Sequence, residues 1–187
     1  MRGLIRRFDA LLRHLLGIST FCRDEECLLR IRLVRLSREL TLPGGHVAKG
    51  ELVLELHLWN EHILPPPAAG PDPAWALRMG RMFVGSLRGL AAHVQQKPEL
   101  QQARAVGGVT VLFTPERPAG IRFMERLGFV VFHHRHPLGR FGEFWENLYA
   151  WALMWAYNPA SLRHRTLWGL SRMEVWMRME DFLQRYG

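Results

Sequence analysis

The sequence predicts an α/β protein: a mixed β-sheet with a strand–helix–strand–helix–strand core and extra helices at the C-terminal end. Three observations lead there. In Glu51-Leu52-Val53-Leu54-Glu55-Leu56-His57-Leu58-Trp59-Asn60, leucines at 52, 54, 56 and 58 repeat with period two, the pattern of a strand with one buried face. From about Ala74 to Gln96, the residues Trp75, Met79, Met82, Phe83, Leu87, Leu90 and Val94 recur at helical spacing. After Gly107-Gly108, the run Val109-Thr110-Val111-Leu112-Phe113 has strand length and β-branched character. Strands separated by helices of this length call for crossover connections, which are right-handed.

Taken in order, residues 3–16 read as a helix with Leu4, Ile5, Phe8, Leu11, Leu12, Leu15 and Leu16 on one stripe, stopped by Gly17. Arg2, Arg6, Arg7 and Arg13 flank that stripe. This suits a helix packed on the domain's own core, and it also fits one lying on an anionic membrane surface. Leu29 to Leu36 alternates apolar residues with Arg30, Arg32 and Arg35, as a strand with one wet face would. Turns at Pro43-Gly44-Gly45 and Lys49-Gly50 then lead into the 51–58 strand as a meander or hairpin. Ile63 to Pro73 holds five prolines and a glycine and is a loop, with Asp72 and Pro73 fit to cap and begin the 74–96 helix. Thr114-Pro115 opens another helix that ends at Gly128, and a strand covers Phe129 to His136. The C-terminal third reads as helical: one helix over about 141–157, and a last one from Ser171, where Ser171 and Glu174 form a capping box.

The 187 residues suit one domain with a substantial core, and an apolar share of 48% with 22% charged residues excludes an intrinsically disordered chain. The net charge of +8 comes almost wholly from arginine, which favours bidentate contacts with phosphate or carboxylate. The arginines are spread along the chain without a recognisable nucleic-acid module, so nucleic acid is not an expected partner. Cys22 and Cys27 lack a second cysteine pair for a zinc site, and free thiols are expected. Arg6, Arg7, Asp9 and Arg13 interrupt the N-terminal apolar run, which rules out a secretory signal, and Leu148 to Tyr157 is half the length of a membrane span. The expected location is cytoplasmic, peripheral at the inner membrane face if the first helix docks there.

Chemistry is sparsest where it is most wanted. Glu55 and His57 share the face of the 51–58 strand opposite the leucines, with Asn60 and Glu61 just beyond its end. A glutamate orienting an imidazole makes a general base, or binds a hydroxyl or an amine, so Glu55 and His57 are the candidate catalytic pair. The same pair also suits a structural network with a neighbour such as Arg32. His134 and His136 share one face and His133 the other, but no metal site is assigned to them. The aromatic residues Trp145, Tyr149, Trp151, Trp155, Tyr157, Trp168 and Trp176 crowd the C-terminal third, mostly at core-packing spacing.

Two resemblances add to this. Arg117-Pro118-Ala119-Gly120-Ile121-Arg122-Phe123-Met124-Glu125-Arg126-Leu127-Gly128-Phe129 resembles the last helix and loop of GNAT acetyltransferases, Asn-x-x-Ala-x-x-Phe-Tyr-Glu-Lys-Leu-Gly-Phe. It implies a GNAT-like core and acyl transfer from acetyl-CoA. However, Met124 stands where that family's tyrosine acid often lies, and a thioether donates no proton. The nearest match to the family's pyrophosphate loop, Arg78-Met79-Gly80-Arg81-Met82-Phe83, has Arg81 and Phe83 at its glycine positions. Acetyl-CoA is therefore not an expected cofactor, although Arg78 and Arg81 remain candidate ligand contacts.

A longer resemblance covers residues 28–187. The arginine-rich strand, Glu55-Leu56-His57-Leu58-Trp59-Asn60-Glu61, Gly107-Gly108-Val109-Thr110, Arg126-Leu127-Gly128-Phe129 and the Ser171-Arg172 to Tyr186-Gly187 ending are similar to the bacterial YkoP-like domain. That domain stands alone or follows polysaccharide deacetylase domains. The resemblance implies no particular reaction, and its company implies work at the cell envelope. The expected organisation is an N-terminal helix and connector over 1–27 and one domain over 28–187, its 141–187 tail helical. The expected function is binding of a small or envelope-derived ligand beside the 51–58 strand, through Glu55, His57, Asn60, Glu61, Arg78 and Arg81. Alternatives are acyl transfer, or a membrane or protein interaction module.

Overall fold

The computed structural model describes the chain apart from residues 112–117, 135, 137, 163–169 and 171, and apart from the side chains of 118 and 119. Helix α1 (Arg2–Leu15) is followed by β1 (Leu29–Arg35), a hairpin of β2 (Leu40–Leu42) and β3 (Gly45–Val47), and β4 (Leu52–Leu58). A 3₁₀ turn at Asn60–His62 leads through the proline-rich loop to α2 (Pro73–Gln96), the short α3 (Pro98–Gln101) and β5 (Ala105–Thr110). Helix α4 (Pro118–Arg126), β6 (Val130–His133), α5 (Gly139–Tyr157), β7 (Met173–Arg178) and α6 (Met179–Tyr186) complete the fold.

The main sheet has the order β1-β4-β5-β7-β6. Only β4 and β5 run parallel; β1 with β4, β5 with β7 and β6 with β7 are antiparallel, so the sheet is mixed as the sequence predicts. The parallel pair needs a crossover, and α2 supplies it. Asp72 caps α2 by accepting from the Trp75 amide at 2.7 Å, with Pro73 as the first helical residue. Leu87, Leu90 and Val94 on α2 and Phe182 on α6 are fully buried against Leu54, Val106, Val175 and Met177 of the sheet. Each such side chain contributes roughly 1.5–3 kcal/mol by leaving water. Ser86 locks α2 to the start of β1, accepting from the Leu28 amide at 2.8 Å while donating to the Met82 carbonyl.

The opposite face is only partly covered. The β2–β3 hairpin turns on Pro43 and Gly44, whose φ of +77 is what a type II turn requires at its third position. It folds Leu40, Leu42 and Val47 over Val53, Ala105 and Trp176. Gly107 makes that packing possible, because a Cβ there would collide with the Val175 carbonyl oxygen and come within 2.6 Å of the Trp176 ring.

Four expectations need correction. The last helix does not begin at Ser171, a residue outside the described ones; Met173–Arg178 is the fourth strand of the sheet, and the helix starts only at Met179. Met173, Val175 and Met177 alternate with Glu174, Trp176 and Arg178, and burial between β5 and β6 outweighs the capping-box pattern. The strand expected over 109–113 lies earlier, at Ala105–Thr110, because Ala105, Val106 and Gly107 pair with β4. The strand expected over 129–136 is Val130–His133. Finally, Cys22 and Cys27 are joined in a disulfide, not free: a turn in which the Cys27 amide donates to the Asp24 carbonyl at 3.0 Å sets their Cα atoms 6.5 Å apart, within bonding range. The Thr114-Pro115 helix start lies outside the described residues. Among those residues no helix is long and apolar enough to cross a membrane.

Candidate ligand-binding site

The half-covered face of the sheet carries the site. Period-two alternation puts Arg30 and Arg32 of β1 and Glu55 and His57 of β4 on it, and the register sets Arg30 opposite His57 and Arg32 opposite Glu55. Arg32 donates twice to Glu55 Oε2, from Nη2 at 2.5 Å and Nε at 3.0 Å. His57 Nε2 lies 3.4 Å from the same oxygen. Burial raises the Glu55 carboxyl, but the His57 imidazole and the Arg32 guanidinium outweigh it and hold the group below its ordinary value. The Nε2 edge of His57 is buried against Glu55, so the exposed third of the side chain lies on the remainder of the ring.

Arg30, opposite His57 in the register, faces the end of β4. Its guanidinium is 4.4 Å above the Trp59 ring, Trp59 stacks on His62 with centroids 3.9 Å apart, and Arg30 Nη2 donates to Glu61 Oε1 at 3.2 Å. The same Glu61 oxygen lies 3.0 Å from Arg13 Nη1 on α1. Arg13 Nε in turn faces Asp9 Oδ2 at 3.3 Å. Asp9 is buried and accepts from the hydroxyls of Tyr149 at 2.8 Å and Tyr157 at 2.9 Å, both on α5. Burial, and then the Asp9 carboxylate, push both tyrosine hydroxyls well above their ordinary range, so they stay protonated donors. Arg6 spans α1 and α5 by donating to the Ala156 carbonyl at 2.8 Å.

Where these elements meet there is a cavity of about 300 Å³ lined by Arg6, Arg13, Glu61 and Tyr157. That is the lower end of the size range of small-molecule pockets, about 300–1,000 Å³. Each guanidinium has five N–H donors, and Arg6 and Arg13 spend only some of theirs on the protein. A larger hollow of about 390 Å³ lies between the hairpin and α6, beside Leu42, Gly128, Arg178 and Arg185. There Arg178 is held by Asp181, Glu180 and the Gly44 carbonyl, and Arg185 donates to the Arg126 carbonyl.

A second glutamate–histidine pair sits on the same face. Glu174 on β7 receives Arg38 Nη2 at 2.6 Å and Trp176 Nε1 at 3.2 Å, and His134 Nδ1 is 2.8 Å away. Burial raises the Glu174 carboxyl, but His134, Arg38 and Trp176 together hold it below its ordinary value. Beyond it, Glu146 on α5 lies 3.2 Å from Arg172 Nε and 3.6 Å from His136 Nε2. Two strand spacings, roughly 10 Å, separate this pair from β4. Among the described residues no cluster of histidine, cysteine and carboxylate groups could hold a metal ion.

The structure therefore places Glu55, His57 and Glu61 along one side of β4 and its end, Glu55 and His57 beside Arg32 and Glu61 in a separate ion-pair chain with Arg30 and Arg13, with Asn60 half-buried at the start of the same 3₁₀ turn. It does not bring Arg78 and Arg81 there: both are on the exposed side of α2, which packs on the other face of the sheet. Residues 78–83 are helix interior, where backbone N–H groups are already used within the helix and no phosphate loop exists. Asp9, Tyr157, Arg38 and Glu174 are the residues of this face that sequence reasoning did not place in a candidate site. For Glu174 a signal was present in the alternation over 173–178. For Asp9, whose partners are 140 and 148 residues away, local sequence held none.

Fold and candidate site define a class: a small mixed-sheet α/β protein with an open, charged hollow between the N-terminal helix, the turn after β4 and α5. The family model of the YkoP domain matches residues 1–186, and the chain belongs to that family, α1 included. Comparison with curated proteins and with solved structures returned no match. The acetyltransferase resemblance of residues 117–129 is not borne out.

Proposed function

We propose that this YkoP-domain protein binds a small hydroxylated ligand carrying an anionic group, of the kind an acidic cell-envelope sugar presents, in the cavity beside the end of β4. The observation that carries the reading is the cavity's lining: Arg6, Arg13, Glu61 and Tyr157 converge on about 300 Å³ of space. Arginine forks suit a carboxylate or phosphate, and Glu61 accepts from hydroxyls. His57 is the cross-strand neighbour of Arg30, with its Nε2 3.4 Å from Glu55.

Isothermal titration with glucuronate, N-acetylmuramate and neutral N-acetylglucosamine tests it. The reading expects heat from the acidic sugars, little from the neutral one, and at least about a tenfold weaker constant for Arg6→Gln, equivalent to roughly 1.4 kcal/mol. Equal affinity for neutral and acidic sugars, or no loss in Arg6→Gln, rejects it.

A further inference from the structure

Helix α1 is inside out. A surface helix of a globular protein turns its apolar stripe to the core and its charges to water. Here Asp9 is the residue α1 buries, at 3% exposure, while Leu4 is 71%, Phe8 53%, Leu11 54% and Leu15 70% exposed. Residues 4, 8, 11 and 15 follow helical spacing, so the four side chains form one continuous stripe along the outer side. Polar bonds fix α1 to the protein, the two tyrosine hydroxyls on Asp9, the Arg13–Glu61 pair and the Arg6 bond to Ala156, with Ile5 and Leu12 half-buried. The stripe is therefore presented outward by anchors on the opposite side of the helix.

Charge selects the occupant. The exposed residues of α1 include Arg2, Arg6 and Arg7 and no carboxylate, because the helix's one acid, Asp9, is buried and paired. Helical spacing places Arg7 and His14 along one edge of the stripe. The chain as a whole carries +8. Four outward apolar side chains edged by Arg7 on a helix lying along the surface of a basic protein are the arrangement that enters the headgroup boundary of an anionic bilayer.

We propose that α1 docks this protein on an anionic lipid surface, with Leu4, Phe8, Leu11 and Leu15 inserted among the acyl chains and Arg7 at the headgroups. The proposal is independent of the ligand reading, since none of these residues lines the cavity. Docking would hold the cavity, on the inner side of the same helix, next to the membrane.

Co-sedimentation of the full chain with vesicles of phosphatidylcholine alone, or of phosphatidylcholine mixed with phosphatidylglycerol, tests it. The wild type is expected to pellet with the phosphatidylglycerol vesicles, to bind the neutral ones weakly, and to be released in part by high salt. Replacing Leu4, Phe8, Leu11 and Leu15 together by Gln keeps helix propensity and touches no inward anchor, and should weaken binding by roughly tenfold or more. Circular dichroism checks that this variant is folded; Arg7→Glu, a single exposed change, is the second variant and should weaken binding to anionic vesicles. Absence of wild-type binding, or equal binding by both folded variants, overturns the proposal. So does a wild-type dimer that the glutamines dissociate without any lipid binding, which would make the stripe a contact between copies of the chain.

Discussion

Arg30 Nη2 lies 3.2 Å from Glu61 Oε1, and this contact ties β1 to the 3₁₀ turn after β4 and, through Glu61, to α1. Arg30 is buried at 7% exposure, yet it carries a full charge, matched by one carboxylate and by the face of Trp59. Arg30→Met keeps the stem's apolar volume and removes the charge. Because Glu61 is a third exposed and retains Arg13, the loss should be modest, about 1–2 kcal/mol in urea denaturation. A stability equal to wild type would show that the link is ornamental to folding.

Asp9 is the stronger lock. Asp9→Ala leaves two half-buried tyrosine hydroxyls without their acceptor and Arg13 without one of its two carboxylates. We expect a loss of about 2–4 kcal/mol, against about 1 kcal/mol for Tyr149→Phe, which removes one donor and leaves Tyr157 in place. Chemical denaturation of the two variants side by side gives the comparison, and a Tyr149→Phe loss as large as that of Asp9→Ala would contradict the shared-acceptor account.

Gly107→Ala should be severe. The added methyl meets a backbone oxygen and the indole of Trp176, and neither is the free end of a flexible chain. A loss of about 3 kcal/mol or more is expected, or failure to fold, and Trp176→Leu in the same background should recover only part of it, since the Val175 carbonyl remains. Thermal unfolding of the single and double variants checks this.

Glu55 and Glu174 make stability pH-dependent in a fixed direction. Both carboxyls are held below the ordinary value of 4.5, so the folded state binds their protons less readily than the unfolded one. Their contribution is complete above that value and is lost as pH falls through the lower, folded-state values. A Glu55→Gln, Glu174→Gln double variant should be less stable than wild type at neutral pH, with a flatter decline under acid. If the two acid limbs have the same slope, the carboxylates are not the groups responsible.

Much of the frame was legible in the sequence, and the reasons are local. The leucines of β4 and the apolar spacing of α2 encode burial by periodicity alone, and Asp72-Pro73 marks a helix start by its own chemistry. Even there, Val53 on the polar side of β4 is as buried as Leu54, because a hairpin from elsewhere covers it. Strand β7 was hidden by competition between two readings of Glu174, as a capping residue or as the outward member of an alternating strand. Only its insertion between β5 and β6 decides. The Arg32–Glu55 pair was accessible as a neighbouring-strand expectation, whereas the Asp9, Tyr149 and Tyr157 lock joins the chain's two distant helices. The outward stripe of α1 was visible as a stripe, but its direction depends on that lock.

The most direct test of the ligand site follows the cavity itself. In a titration of isotopically labelled protein with glucuronate, the Arg6 and Arg13 side-chain Nε–H resonances and the Tyr157 ring resonances are predicted to shift together with one saturation curve. The Arg178 and Arg185 resonances at the larger hollow should stay fixed. Shifts confined to Arg178 and Arg185, or no saturable shift at Arg6 and Arg13, would contradict the account.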